Sequence, residues 1–155
     1  MVDIVDPKVR SQMMAGIRGR DTKPEMQVRR ALHLRGFRFS RAPVRLPGRP
    51  DVVLTRWKVA VFVHGCFWHL HGCSLSKLPE SNSQFWQRKL AGNVERDELV
   101  ALTLISLGWR VAIVWECALK GIRAQASFDA AMDRLAAWIR SDSREPALEI
   151  SGDVG

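Results

Sequence analysis

The ten residues from His64 to Cys73 read HGCFWHLHGC and hold three of the chain's four histidines and two of its three cysteines. Thiolate and imidazole bind zinc, and imidazole is also the commonest general base near neutral pH. The adjacent Phe67 and Trp68 add bulky rings of the kind that wedge into or stack on nucleic-acid bases. One short segment therefore has the side chains for a metal site, an acid-base site and a nucleic-acid contact.

Structural zinc takes four Cys or His ligands in a tetrahedron. Cys66, His71 and Cys73 lie within eight residues, and Cys117 is the only cysteine left to complete the set. The expectation is a Cys3His site that staples this loop to the segment around Cys117. An odd number of cysteines cannot all pair within one chain, and cytosolic thiols normally stay reduced. Three unrelated buried cysteines are the plainer alternative, and the clustering argues against it. His64 and His69 remain unassigned by this count. His69 sits two positions from a proposed ligand, on a loop the metal would rigidify, which suits a general base. Upstream, Asp51 follows the turn LPGRP and opens a strand. A carboxylate there either caps the turn or holds Mg2+, which prefers oxygen ligands.

These residues need a scaffold. Apolar residues make up 46% and charged residues 26% of the 155, which suits one globular domain. There is no apolar run near the ~20 residues that span a bilayer and no secretory signal, so the expected location is the cytoplasm. Lysine and arginine number 24 against 16 acidic residues, a net charge of +8, which favours a polyanionic partner such as nucleic acid.

Residues 7–20 read as an amphipathic helix or arm. A helix capped by Asp21 or Thr22 then ends at Gly36. Residues 37–42 alternate like a strand, and DVVLT and KVAVFVH read as a hairpin around Arg56 and Trp57. A long helix spans Ser83 to about Leu107, ended by Gly108, with Trp86, Leu90, Val94, Ala101, Leu104 and Ile105 inward. WRVAIVWE is a buried strand, and a last helix runs from about Ser127 to Arg140. The expected order, α-β-β-β-α-β-α, is an α/β fold with a mixed sheet flanked by helices. The expected division is an arm at 1–20, a main globular domain at 21–141, and a flexible tail at 142–155.

The Pro50–Asp51 pair and the strand that follows resemble the Pro-Asp motif of restriction-endonuclease-like nucleases, although VFVHG stands where Glu-x-Lys is usual. With HGCFWHLHGC, FWQRKLAGNVERD and GWRVAIVWECAL, the chain resembles the very-short-patch repair (Vsr) endonucleases from about Lys8 to Gly121. That resemblance implies an enzyme that nicks DNA 5′ to the T of a T:G mismatch left by deamination of 5-methylcytosine, with Mg2+ as cofactor and a structural zinc. It implies that Asp51 and the backbone carbonyl of Val63 contact Mg2+. The family can have Thr at position 63, and the Val here keeps a carbonyl ligand but no hydroxyl. It further implies that Glu25 contacts metal-bound water, that His69 activates the attacking water in place of a lysine, and that His64 and Asp97 support the site. The zinc ligands it implies are Cys66, His71, Cys73 and Cys117. Phe67, Trp68 and Trp86 would enter the duplex from the major groove, and Met14 would approach from the minor groove. Trp57, Trp109, Trp115 and Trp138 are expected to be core. The resemblance implies double-stranded DNA with a T:G mismatch as the partner of a monomer, contacted by the arm at 1–20, cut by the nuclease domain at 21–141 and met at the bacterial nucleoid, with other mismatch-repair proteins as further contacts.

Two other functions compete. A zinc-stabilised, non-catalytic DNA-binding protein explains the charge, the cysteines and the aromatics, but leaves Asp51 and His69 without a task. A related restriction-type endonuclease would cut paired DNA.

Overall fold

The computed structural model describes residues 23–39, 46–69, 71, 80–119, 124–141 and 145–152. Helix α1 (Lys23–Leu34) is followed by β1 (Val52–Leu54), β2 (Val59–His64), helix α2 (Ser83–Ser106) and β3 (Arg110–Trp115). A 3-10 turn (Glu116–Leu119), helix α3 (Ala124–Arg140) and β4 (Ala147–Ile150) complete the described chain. The strands form one mixed sheet in the order β1-β2-β3-β4, with β1–β2 antiparallel and β2–β3 and β3–β4 parallel. Among the described residues no helix is long and apolar enough to cross a membrane.

Strand alternation divides the sheet's two faces. Val59 and Val61 of β2, with Ala112 and Val114 of β3, pack into a core with Val28 and Leu32 of α1 and Met132, Leu135 and Ile139 of α3. Ala60 and Phe62 of β2, with Val111 of β3, pack on the other face against Leu104 of α2. The sheet is thus a middle layer with α1 and α3 on one side and α2 on the other. The same alternation turns His64 and Trp115, at the ends of β2 and β3, toward the α2 side.

Both expected glycine stops close helices by the same device. Gly36 (φ 92°) lets Phe37 N–H donate to Leu32 O and Gly36 N–H to His33 O. Gly108 (φ 90°) repeats this with Trp109 to Leu104 and Gly108 to Ile105. Each is a Schellman motif, which needs a left-handed residue just past the helix.

Three expectations are corrected. The described part of the proposed strand at 37–42, residues 37–39, is irregular. Phe37 is nonetheless buried, edge-on to Trp57 at 6.0 Å, so its burial comes from closing α1 rather than from a ladder. Among the described residues the element order lacks that strand. The region given to a flexible tail carries β4, in register with β3 from Val111↔Ala147 to Val114↔Ile150. The burial of Ile150 supplies the apolar contact that holds it.

Candidate active site and metal centre

The turn before β1 sets Asp51. Gly48 has φ 78°, and a Cβ there would lie 2.4 Å from Val100 Cγ1 on α2, so only glycine allows the turn to approach the helix this closely. Asp51 N–H donates to Val61 O at 2.9 Å. β1 pairs only as far as Val52↔Val61, so β2 runs on past its neighbour, and Val63 N–H donates to the Asp51 carboxylate at 2.6 Å. The side chain thus takes the acceptor position that backbone would fill in a longer strand.

Glu25, buried in the first turn of α1, meets Asp51 from the other element. Arg29, one turn on, holds the arrangement: its Nε donates to Asp51 O at 3.1 Å and its guanidinium lies 3.7 Å from the Glu25 carboxylate. Burial first, then repulsion and a shared hydrogen bond with Glu25, push the Asp51 carboxyl up to about 7, against the lowering effects of Val63 N–H and Arg29. Two carboxylates that share a proton in a confined space have the hard oxygen donors that Mg2+ prefers, and a divalent cation would relieve their repulsion.

On the α2 side, His69 Nδ1 is hydrogen-bonded to Asp97 Oδ2. The His64 ring stacks on His69 with centroids 3.9 Å apart and planes 4° from parallel. His64 Nδ1 is buried and has no hydrogen-bond partner among the described residues. Burial, then the neighbouring His69, lower His64 from 6.5 to about 4, opposed by Asp97, so His64 is neutral at physiological pH. The donor atoms of His64, His69 and Asp97 all lie within 4.8 Å of one another. Imidazole lone pairs lie in the ring plane, however, and two parallel planes 3.9 Å apart do not converge on one ion. The group is better suited to moving a proton. With Asp97 accepting at Nδ1–H, His69 presents Nε2 as the free base.

Cys66, His71 and Cys117 form a separate cluster, their donor atoms also within 4.8 Å of one another. Cys117 Sγ and His71 Nδ1 are 3.4 Å apart. A tetrahedral zinc with bonds of about 2.3 Å to sulfur and 2.0–2.1 Å to nitrogen would separate those ligands by about 3.5 Å, so the residues fit the ion. The segment folds back to make this possible, with His69 N–H donating to Gly65 O and His71 N–H to Cys66 O. Cys73 and Met14 lie outside the described residues.

Phe67, Trp68 and Trp86 form one aromatic patch, with ring centroids 5.0, 5.6 and 6.1 Å apart. All three are partly exposed, and Asn93 of α2 fixes the loop by donating to Trp68 O at 2.9 Å.

Three neighbours were missed in sequence. Exposed Phe85 extends the patch, 5.5 Å from Trp86. Lys89 Nζ lies 5.6–6.0 Å from the Trp68, Phe85 and Trp86 rings, and its i+3 and i+4 spacing from Trp86 and Phe85 was a usable signal. Trp115, expected to be core, is buried but stacks on His71 at 4.1 Å and stands edge-on to His64 at 5.3 Å. It joins the two histidine groups through one ring.

The titrating groups give a pH-dependent stability. Asp51 keeps its proton up to about pH 7 in the native chain and loses it near 3.8 when unfolded. The native state binds more protons between those values, so the metal-free chain loses stability as pH rises through 7. His64 acts oppositely: its contribution is present above 6.5 and is lost as pH falls through 4. Saturating Mg2+ is therefore expected to raise Tm more at pH 8 than at pH 5, because at pH 5 it competes with the Asp51 proton. Thermal melts with and without Mg2+ check this; equal shifts at both pH values would contradict it.

Comparison with known proteins finds relatives along nearly the whole chain. A family model described as DNA mismatch endonuclease Vsr matches residues 2–75. Over 152 residues, 98% of this chain and 97% of the relative, the chain is 41% identical to DNA mismatch endonuclease Vsr of Escherichia coli (strain K12). It is 42% identical to Type II nicking enzyme V.XorIIP of Xanthomonas oryzae pv. oryzae over 80% of this chain and 91% of that one. Type II nicking enzyme V.NmeAIP of Neisseria meningitidis is 43% identical over 77% of this chain and 86% of its own.

Proposed function

The chain belongs to the Vsr family of DNA mismatch endonucleases, and from that premise we propose that it nicks one strand of duplex DNA 5′ to the thymine of a T:G mismatch, the lesion left when 5-methylcytosine is deaminated. The observation that carries this reading is the pair of half-sites around the end of β2: Asp51 with Glu25, and His69 with Asp97. One offers a cation site and the other a base. A non-catalytic DNA-binding protein has no use for either. The mixed sheet, with Asp51 at the mouth of a hairpin, fits a restriction-endonuclease-like core.

Asp51 and the Val63 carbonyl would hold Mg2+ directly, with Glu25 acting through water. Bound there, Mg2+ supplies neutralisation of the phosphate charge and a water of lowered pKa. His69 Nε2 takes the proton of the attacking water, and Asp97 keeps the ring in the required tautomer and stabilises the imidazolium that forms. His64 stays neutral beneath it, so no second positive charge opposes that protonation. Cys66, His71, Cys73 and Cys117 would hold Zn2+ as a staple for the loop that carries His69. Phe67, Trp68 and Trp86, with Met14 from the opposite groove, enter the duplex at the mismatch. Unstacking costs a few kcal/mol per step and least at a mispair, so the wedge itself favours mismatched DNA. The basic charge of the chain holds the backbone. That relatives are named nicking enzymes accords with cleavage of one strand.

His69→Ala tests the chemistry. It is expected to lower single-turnover nicking of a T:G duplex by about 10²–10⁴-fold, the usual worth of a general base, and to leave duplex affinity within about twofold. Nicking at the parental rate would remove His69 from the reaction.

A further inference from the structure

Cys117 has a contact that lies outside the loop of histidines and cysteines. Gly152 N–H donates to its Sγ at 3.3 Å. The approach is close enough to exclude any side chain, since a Cβ on Gly152 would lie 2.3 Å from Cys117 O and 2.8 Å from Cys117 C. The sheet creates this meeting. β3 and β4 run parallel, with Val114 opposite Ile150, so the turn that follows β3 and the residues that follow β4 leave the sheet side by side. Ile150 is buried and anchors the second exit.

We propose that Gly152 is a positioning residue of the metal centre, its amide hydrogen-bonded to the Cys117 thiolate that binds zinc. This rests on the zinc reading of Cys66, His71 and Cys117. An N–H donated to a metal-bound thiolate stabilises the anionic sulfur and fixes the direction in which it meets the metal. Outer-shell partners of this kind are worth about 10–100-fold in metal affinity. The C-terminal strand thereby becomes part of the staple. The loop of His69 is tied to Cys117, and Cys117 is tied to β4, so the last strand and the chemistry are linked through the metal.

The direct test uses the unaltered full-length chain loaded with 113Cd2+. Scalar coupling between the cadmium and the Gly152 amide proton, carried across the N–H···S bond, is the expected result. Cadmium bound with no such coupling, and with the Gly152 amide exchanging as in an unstructured peptide, would overturn the assignment while leaving the metal site standing. Failure of the native chain to take up cadmium or zinc at all would overturn the metal reading itself. A second arm uses Gly152→Ala, which the Cys117 carbonyl opposes, in competition with a chromophoric chelator. Zinc affinity should fall about 10–100-fold, whereas Ser151→Ala, at an exposed neighbour, should hold zinc as the parent does. Equal zinc affinity in Gly152→Ala would contradict the proposal.

Discussion

Asp51→Asn should abolish nicking and, in the same protein without metal at pH 8, raise thermal stability. The two effects have one cause. The native fold confines the Asp51 carboxyl beside Glu25 and away from water, and so pushes it up to about 7. Ionising it above that pH costs folding free energy. Asparagine is nearly the same size, cannot ionise, and keeps an oxygen able to accept the Val63 N–H that now bonds the carboxylate. It therefore removes the cost and preserves the backbone contact. The same change removes the anionic ligand of the proposed Mg2+ site. Metal stabilisation of transition-state charge is worth several kcal/mol, so the loss in rate is expected to be about 10³-fold or more. Single-turnover nicking and thermal melts at pH 5 and pH 8 measure both sides. A variant that is inactive and also less stable at pH 8 would show that Asp51 serves the fold rather than the metal.

Cys117→Ser is expected to be the most destabilising single change at the centre. The structure brings Cys117 to His71 and Cys66 from 40 or more residues away in sequence, so one ion there would close a long loop as well as fill a site. Structural zinc contributes about 10–16 kcal/mol in zinc-finger peptides, which is comparable to the whole stability of a typical domain, about 5–15 kcal/mol. Even a fraction of that, about 3–5 kcal/mol, lowers the Tm of a domain this size by about 6–20 °C. Bound zinc should fall from one equivalent to well under half, with Tm falling alongside. His33→Ala, at an exposed histidine on α1, should change neither. Unchanged melting of Cys117→Ser with zinc still bound would remove Cys117 from the site.

The local parts of this arrangement were legible in the sequence, and the parts that depend on register were not. The β1–β2 hairpin and α2 follow from short-range signals, and Gly36 and Gly108 stop their helices as expected. The crowding of His and Cys at 64–73 announces a site because few other environments tolerate it. β4 escaped notice because ALEI is four residues long, sits among polar neighbours, and is stabilised by pairing with β3. That pairing is parallel and reached across α3, which no local pattern reveals. The run at 37–42 misled for the converse reason: Phe37 is buried by the close of α1, so its apolar character carried no strand information. Trp115 looks like ordinary core in the sequence because its partners, His64 and His71, become visible only once β2 and β3 are set in parallel. The resemblance to the family carried Glu25, Val63 and Asp97, whose meaning comes from folding rather than spacing.

The proposed task of these residues is strand cleavage at a T:G mispair. The measurement that bears on it most directly is single-turnover nicking by the purified chain with Mg2+, on otherwise identical duplexes holding T:G, each other single mismatch, or none. One cut is expected, in the thymine strand and 5′ to the mispaired T, at a rate far above that on paired DNA and dependent on Mg2+. Cleavage of fully paired duplex at the T:G rate, or no cleavage of any substrate, would contradict it.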